Sequence, residues 1–153
     1  MDLKEQIKLS DIALNNKDFI KAITLLEKAL EIYPNNFELN FKFWLIYNVL
    51  GKLKESINYY QKSVVINPNF SPAYCNLGII YDKLNNKDLA IKNYLTAIKI
   101  DPKNSNAHYN LANTYFNFED FTNAEKHYFF SINTNSKNIY AYNNLLQIYD
   151  RTN

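Results

Sequence analysis

Prolines 34, 68 and 102 stand in "IYPNN", "INPNF" and "IDPKN", each 34 residues after the one before, and the next step of 34 falls on Ser136 in "TNSKN". A fixed period of this length constrains the fold more than any single motif, because it means that one supersecondary unit is used again and again. Cutting two residues after each of these positions divides the chain into repeats 3–36, 37–70, 71–104 and 105–138, with a half repeat from 139 onward. Two glycines and four prolines in 153 residues leave few obligatory breaks, so long helices joined by short turns are favoured.

Inside each repeat the apolar spacing is helical twice over. In the third, Tyr74, Leu77, Gly78 and Tyr81 recur at i, i+3, i+4 and i+7, then "NNKD" interrupts, then Ala90, Tyr94 and Ala97 mark a second helix. The fourth offers His108, Leu111, Ala112 and Tyr115, followed by Ala124, Tyr128 and Ser131. Columns agree across repeats: Leu9, Phe43, Leu77, Leu111 and Leu145 in one, Ala13, Tyr47, Tyr81, Tyr115 and Tyr149 in another. Small residues let the two helices of a pair approach, and aromatic residues fill the gap to the next pair. No single repeat can bury its apolar face alone, so neighbours must stack, and the fold class is all-α.

The order aromatic, Leu, small, Tyr, then Ala, aromatic, Ala and Pro, as in Tyr74, Leu77, Gly78, Tyr81, Ala90, Tyr94, Ala97 and Pro102, resembles the tetratricopeptide repeat. The resemblance covers essentially the whole chain. It implies a right-handed α-solenoid of antiparallel helix pairs, about nine helices in all. Four repeats would be closed by a capping helix over 139–151, in a single domain spanning 1–153. Departures from the pattern are informative. Trp44 fills a slot that holds Ser10, Gly78 and Ala112 elsewhere, so the second pair must be relieved locally, with Ser56 and Ser63 supplying room. The expected turn glycine occurs only at Gly51, with Lys17, Asn85 and Glu119 in the matching places. Ser71 followed by Pro72 reads as an N-cap and a first-turn proline.

A net charge of +2 is too small for the dense basic field that phosphate binding needs, and its distribution gives a mildly basic middle with no stripe, so nucleic acid is not an expected partner. A membrane is not expected either. No window approaches the roughly 20 apolar residues of a span, and "MDLKEQIKLS" lacks the basic-then-apolar order of a targeting segment. Cys75 is the single cysteine, which excludes an internal disulfide framework and matches a cytoplasmic location. His108 and His127 lie 19 residues apart on different predicted helices and read as structural. No catalytic constellation, phosphate loop, metal site or cofactor site is expected, and the chain is not read as an enzyme.

The resemblance further implies that the first helix of each pair lines a concave groove. The residues facing it would be Lys8 and Asp11 in the first repeat, and Phe41, Lys42 and Leu45 in the second. Asn76, Ile79 and Asp82 would follow in the third, Tyr109, Asn110 and Asn113 in the fourth, and Asn144 and Gln147 in the last helix. Amide side chains donate and accept together, so Asn76, Asn110 and Asn144, each one repeat from the next, would bracket the backbone of an extended peptide. Lys8 and Lys42 would attract an acidic residue, with Phe41, Leu45 and Ile79 as an apolar pocket. This ladder is similar to that of the repeat arms of O-GlcNAc transferases and kinesin light chains. The dicarboxylate clamp of chaperone-binding members fits poorly, because Ile7 with Asp11, Lys42, and Pro72 with Asn76 stand in its places, so heat-shock chaperone tails are disfavoured. The expected function is a non-enzymatic interaction scaffold that binds an extended peptide of a partner protein. Two alternatives stand beside it: an arm of a larger protein such as a glycosyltransferase, and a self-associating homodimer joined through Tyr142, Leu145, Leu146 and Tyr149.

Overall fold

The computed structural model describes residues 2–152, and the regular elements among them are all helices. In chain order these are α1 (Leu3–Asn15), α2 (Phe19–Ile32), α3 (Phe37–Val49), α4 (Leu53–Ile66), α5 (Ser71–Lys83), α6 (Lys87–Ile100), α7 (Ser105–Asn117), α8 (Phe121–Thr134) and α9 (Ile139–Thr152). Odd-numbered helices are the first of each predicted pair and even-numbered helices the second. The protein is therefore an all-α array of repeated helix pairs. It forms two compact modules divided between Pro68 and Asn69, where the sequence predicts one continuous domain. α1–α4 make the N-terminal module and α5–α9 the C-terminal one.

Short polar side chains start most of the helices. Asp2, Asp18, Asn36, Asn86, Asn104, Asp120 and Asn138 each accept a hydrogen bond from a backbone N–H in the first turn that follows. Such caps satisfy donors that the helix leaves unpaired. α1, α3, α5 and α7 are each followed by a left-handed residue: Lys17, Gly51, Asn85 and Glu119 have φ of 59°, 71°, 55° and 60°. The next residue's N–H then reaches back to the carbonyl five positions earlier, as from Asp18 to Ala13, Lys52 to Tyr47, Asn86 to Tyr81 and Asp120 to Tyr115. This hydrogen-bonded turn explains why a glycine is expected there and why Gly51 suits it best.

Ser71 departs from the predicted capping role. Phe70 occupies the cap position, while the Ser71 hydroxyl is buried and donates to the carbonyl of Ala97 at 2.8 Å. Asn104 in turn donates to Ser71 Oγ at 2.7 Å, so this serine ties α5 to the end of α6 and to the cap of α7.

In the N-terminal module Ala13, Ala22, Leu26, Ala29, Leu39, Phe43 and Ile46 form one core. Trp44 is buried apart from this cluster and meets Tyr60 edge-on, with ring centroids 5.3 Å apart and planes at 88°. Ser56 and Ser63, expected to give it room, are both fully buried, and the Ser56 hydroxyl donates to the carbonyl of Trp44 at 3.4 Å. The penalty at Trp44 is an indole N–H buried without an acceptor. Leu9, predicted as core, is 36% exposed, because its column packs on the preceding second helix and none of the described helices stands before α1.

The C-terminal module holds two clusters, one around Ala90, Tyr94, Ala97 and Leu111, the other around Ala112, Ala124, Tyr128, Leu145 and Ile148. Gly78 shows how tightly such a pair closes: a Cβ placed there would lie 2.4 Å from Tyr94 Cε1.

Candidate functional site

Three first helices of the C-terminal module, α5, α7 and α9, carry the predicted amides. Asn113 on α7 accepts the Tyr128 hydroxyl at 2.7 Å and the Asn144 amide of α9 at 3.0 Å, through one oxygen, Oδ1. Asn144 Nδ2 also donates to the Tyr128 oxygen at 3.0 Å. Both N–H groups of Asn144 are therefore occupied, leaving its carbonyl oxygen to accept, while the Asn113 NH2 remains available to donate. Asn144 is thus a packing partner as well as a surface amide. Burial pushes the Tyr128 phenol up to about 12, against the lowering effect of the Asn144 amide, so its hydroxyl stays protonated and holds the network.

On α5 and α7 the arrangement is looser. Asn110 directs Nδ2 at Cys75 Sγ, 3.8 Å away, and Asn76 makes no hydrogen bond to another described residue. Together with Pro72, Ile79, Asn104 and Asn106 they line a pocket of about 170 Å³. Burial raises the Cys75 thiol to about 11, with the Asn110 amide opposing, so the sulfur is protonated and inert at neutral pH.

Beyond Ile79 on the same helix, Asp82 accepts the Tyr94 hydroxyl at 2.7 Å and the Thr114 hydroxyl at 2.9 Å. Burial raises its pKa, and those two hydroxyl groups pull it back down. Asp82 has no ion-pair partner among the described residues. Tyr109 leans on Tyr128 with centroids 6.0 Å apart, and Gln147 is exposed.

The N-terminal module treats its predicted residues differently. Lys42 Nζ lies 2.6 Å from Asp11 and 3.9 Å from Glu38, so the cation expected to draw an acidic ligand is already neutralised from within. Lys8 is exposed and forms no ion pair with the described residues. The Phe41 ring sits 5.0 Å from Trp44, and Leu45 is exposed beside them. On α9, Tyr142, Leu146 and Tyr149 are exposed, whereas Leu145 is 5% exposed and belongs to the core, which removes it from any association surface. Its column packs inward on α8, as Leu111 does on α6.

The two histidines that read as structural touch each other, a contact the sequence does not show. His108 and His127 meet with Nδ1 atoms 3.0 Å apart, and His108 Nε2 is 3.2 Å from the carbonyl of Pro102. A carbonyl only accepts, so His108 is protonated at Nε2 and His127 donates from Nδ1 to the bare Nδ1 of His108. Burial first, then the neighbouring His108 and Lys126, hold His127 down at about 4, and burial likewise lowers His108. The pair is neutral and packed against Tyr115 and Phe130. Among the described residues no group of three or more His, Cys, Asp or Glu side chains is placed to hold a metal ion. None of the described helices is long and apolar enough to cross a membrane.

Comparison with known proteins agrees with this architecture. Profiles described as tetratricopeptide repeat match residues 4–36, 71–104 and 93–126, and one described as TPR repeat matches 45–85. The match over 71–104 coincides with the third predicted repeat. A solved structure of MamA superposes with a TM-score of 0.85 at 26% identity, covering 96% of this chain and 80% of that one. PilF of Pseudomonas aeruginosa gives 0.86 at 17% identity over 97% and 68%. YrrB, described as a TPR protein with an unusual peptide-binding site, gives 0.78 at 17% identity over 98% and 77%. No curated protein matches the chain.

Proposed function

Because the chain belongs to the tetratricopeptide repeat family and is by that fold a protein-interaction scaffold, we propose that it binds an extended peptide segment of a partner on the first-helix face of its C-terminal module. The observation that carries this reading is the pocket framed by Asn76, Asn110 and Ile79, beside a fixed Asn113–Asn144 couple that offers an amide donor and a carbonyl acceptor. A peptide bond presents one acceptor and one donor, which is what such a couple satisfies without reading side chains. Binding of this kind needs no chemistry from the scaffold, and the role is non-catalytic.

The test is selection of peptides from a random displayed library, followed by titration of the selected sequences. Asn76→Ala combined with Asn110→Ala should weaken them about tenfold or more, since each buried hydrogen bond lost contributes about 1 kcal/mol, while leaving the melting temperature unchanged. Affinities that survive this double change refute the assignment. Asn144→Ala is the wrong probe, because it also breaks the Tyr128 network.

A second reading, self-association through α9, is favoured by Ile139, Tyr142, Leu146 and Tyr149, which stand exposed at helical spacings of three and four. Light scattering at tens of micromolar decides it: a strict monomer, or a dimer that Leu146→Glu leaves intact, sinks the idea.

A further inference from the structure

The fourth position of each repeat is Tyr74, His108 or Tyr142 in the C-terminal module and Asn40 in the second repeat. At His108 this ring packs on the neighbouring second helix. His108 stacks on Phe130 of α8 with centroids 5.0 Å apart and planes at 19°. Two periods earlier, in the N-terminal module, the residues matching His108 and Phe130 are Asn40 and Lys62. Asn40 is short and turns inward to the carbonyl of Asn36 at 2.8 Å. The Lys62 ammonium lies over the Tyr59 ring, 5.1 Å from its centroid. Neither fills the slot, and a groove of about 840 Å³ remains between α2 and α4.

Its chemistry is two-sided. Leu30 and Pro34 on one flank, with Val65 and Ile66 on the other, give it an apolar lining. Glu27 and Glu31, one helical turn apart on α2, stand on its rim, and neither has an ion-pair partner among the described residues; Lys62 also lines the groove, but its ammonium is turned over the Tyr59 ring. The Glu27 field is felt nearby: after burial it is the next largest cause that raises the Tyr47 phenol. A slot that the chain's other module closes with its own Phe130, edged here by two unneutralised carboxylates, matches a ligand with an aromatic ring and an adjacent cation.

We propose that the groove between α2 and α4 is a second docking site, which receives an aromatic side chain of a partner protein with lysine or arginine next to it in sequence. The site lies on second helices of the N-terminal module, so it stands or falls apart from the amide face of α5, α7 and α9. Ring insertion supplies the apolar contact that Phe130 makes at the matching place in the C-terminal module. The cation then pairs with Glu27 or Glu31 at the rim.

Titration of 15N-labelled protein with the capped peptides Ac-Trp-Lys-Lys-NH2 and Ac-Trp-Glu-Glu-NH2 tests this. The lysine peptide should give saturable amide shifts confined to Leu30, Asn58, Gln61, Val65 and their neighbours. The glutamate peptide should bind at least about threefold more weakly, as expected for loss of exposed ion pairs, and Glu27→Gln with Glu31→Gln should erase that difference. Asn40→His with Lys62→Phe installs the residues that close the slot elsewhere and should abolish the shifts. Should that variant fold poorly, Val65→Lys replaces it, since Val65 is 81% exposed and its change leaves the core alone. Absence of saturable shifts, equal response to both peptides, or shifts that persist after the slot is filled overturns the proposal.

Discussion

Gly78→Ala should destabilise the protein, although alanine is the better helix former. A Cβ on Gly78 would meet Tyr94 Cε1, Cδ1 and Cζ at 2.4, 2.6 and 2.7 Å. Ordinary carbon contacts begin near 3.5 Å, so the ring has to retreat by about 1 Å. Tyr94 is fully buried among Ala90, Ala97 and Leu111, and its hydroxyl is fixed to Asp82 at 2.7 Å, so retreat either strains the core or breaks that bond. Overpacking of this kind costs about 1–3 kcal/mol, and loss of a hydrogen bond to a charged group about 1.5–3 kcal/mol. Removing a mid-helix glycine returns about 1 kcal/mol. The net expectation is a loss of about 1 kcal/mol, or roughly 2–4 °C in melting temperature for a chain of this size. Urea denaturation followed by circular dichroism measures it. Tyr94→Phe supplies the control, because a ring without its anchor can slide, so the double variant should be less destabilised than the sum of the two single changes. A Gly78→Ala protein as stable as the parent, or strictly additive changes, would refute the close-approach argument.

Lys17→Gly and Glu119→Gly should each stabilise by about 0.5–1 kcal/mol, since the left-handed residue no longer carries a Cβ, while Gly51→Ala should do the reverse; denaturation midpoints check all three. Acidification should weaken the fold through His127, held at about 4 in the folded chain against about 6.5 when unfolded. Below pH 6.5 the unfolded state takes up a proton that the folded state refuses, so stability falls from there down to about pH 4. The urea midpoint of His127→Phe should fall less over that window, and an identical fall would exclude the histidine pair as the cause.

What the sequence made legible follows from periodicity. One period of 34, repeated small residues and a shared proline dictate helix pairs, their boundaries and the left-handed turns at Lys17, Asn85 and Glu119. Pairings between repeats were not legible. Lys42 and Asp11 stand 31 residues apart, and nothing in either repeat alone shows that one neutralises the other. His108 and His127 meet only because the turn between α7 and α8 folds position 4 of a repeat onto position 23. Leu145 falls in a column that the repeats bury, yet on a terminal helix its spacing groups it equally well with exposed Tyr142, Leu146 and Tyr149.

The two candidate sites arise from opposite uses of the repeat. On the first-helix face, Asn113 and Asn144 sit on neighbouring first helices and the Tyr128 hydroxyl joins them, so repetition itself builds a rigid pair of polar groups. Such a pair suits a ligand that is itself repetitive, and the peptide backbone is one. Between α2 and α4 the repeat fails: Asn40 and Lys62 replace the rings found at His108 and Phe130, and the space is left for something the chain does not supply. An exposed apolar groove of that size is unfavourable for an isolated chain, because its lining forfeits the contacts a ring would make. Two substitutions toward the C-terminal pattern, Asn40→His and Lys62→Phe, would remove that penalty. The double variant should therefore be at least as stable as the parent while losing the aromatic ligand, so that stability and binding change in opposite senses.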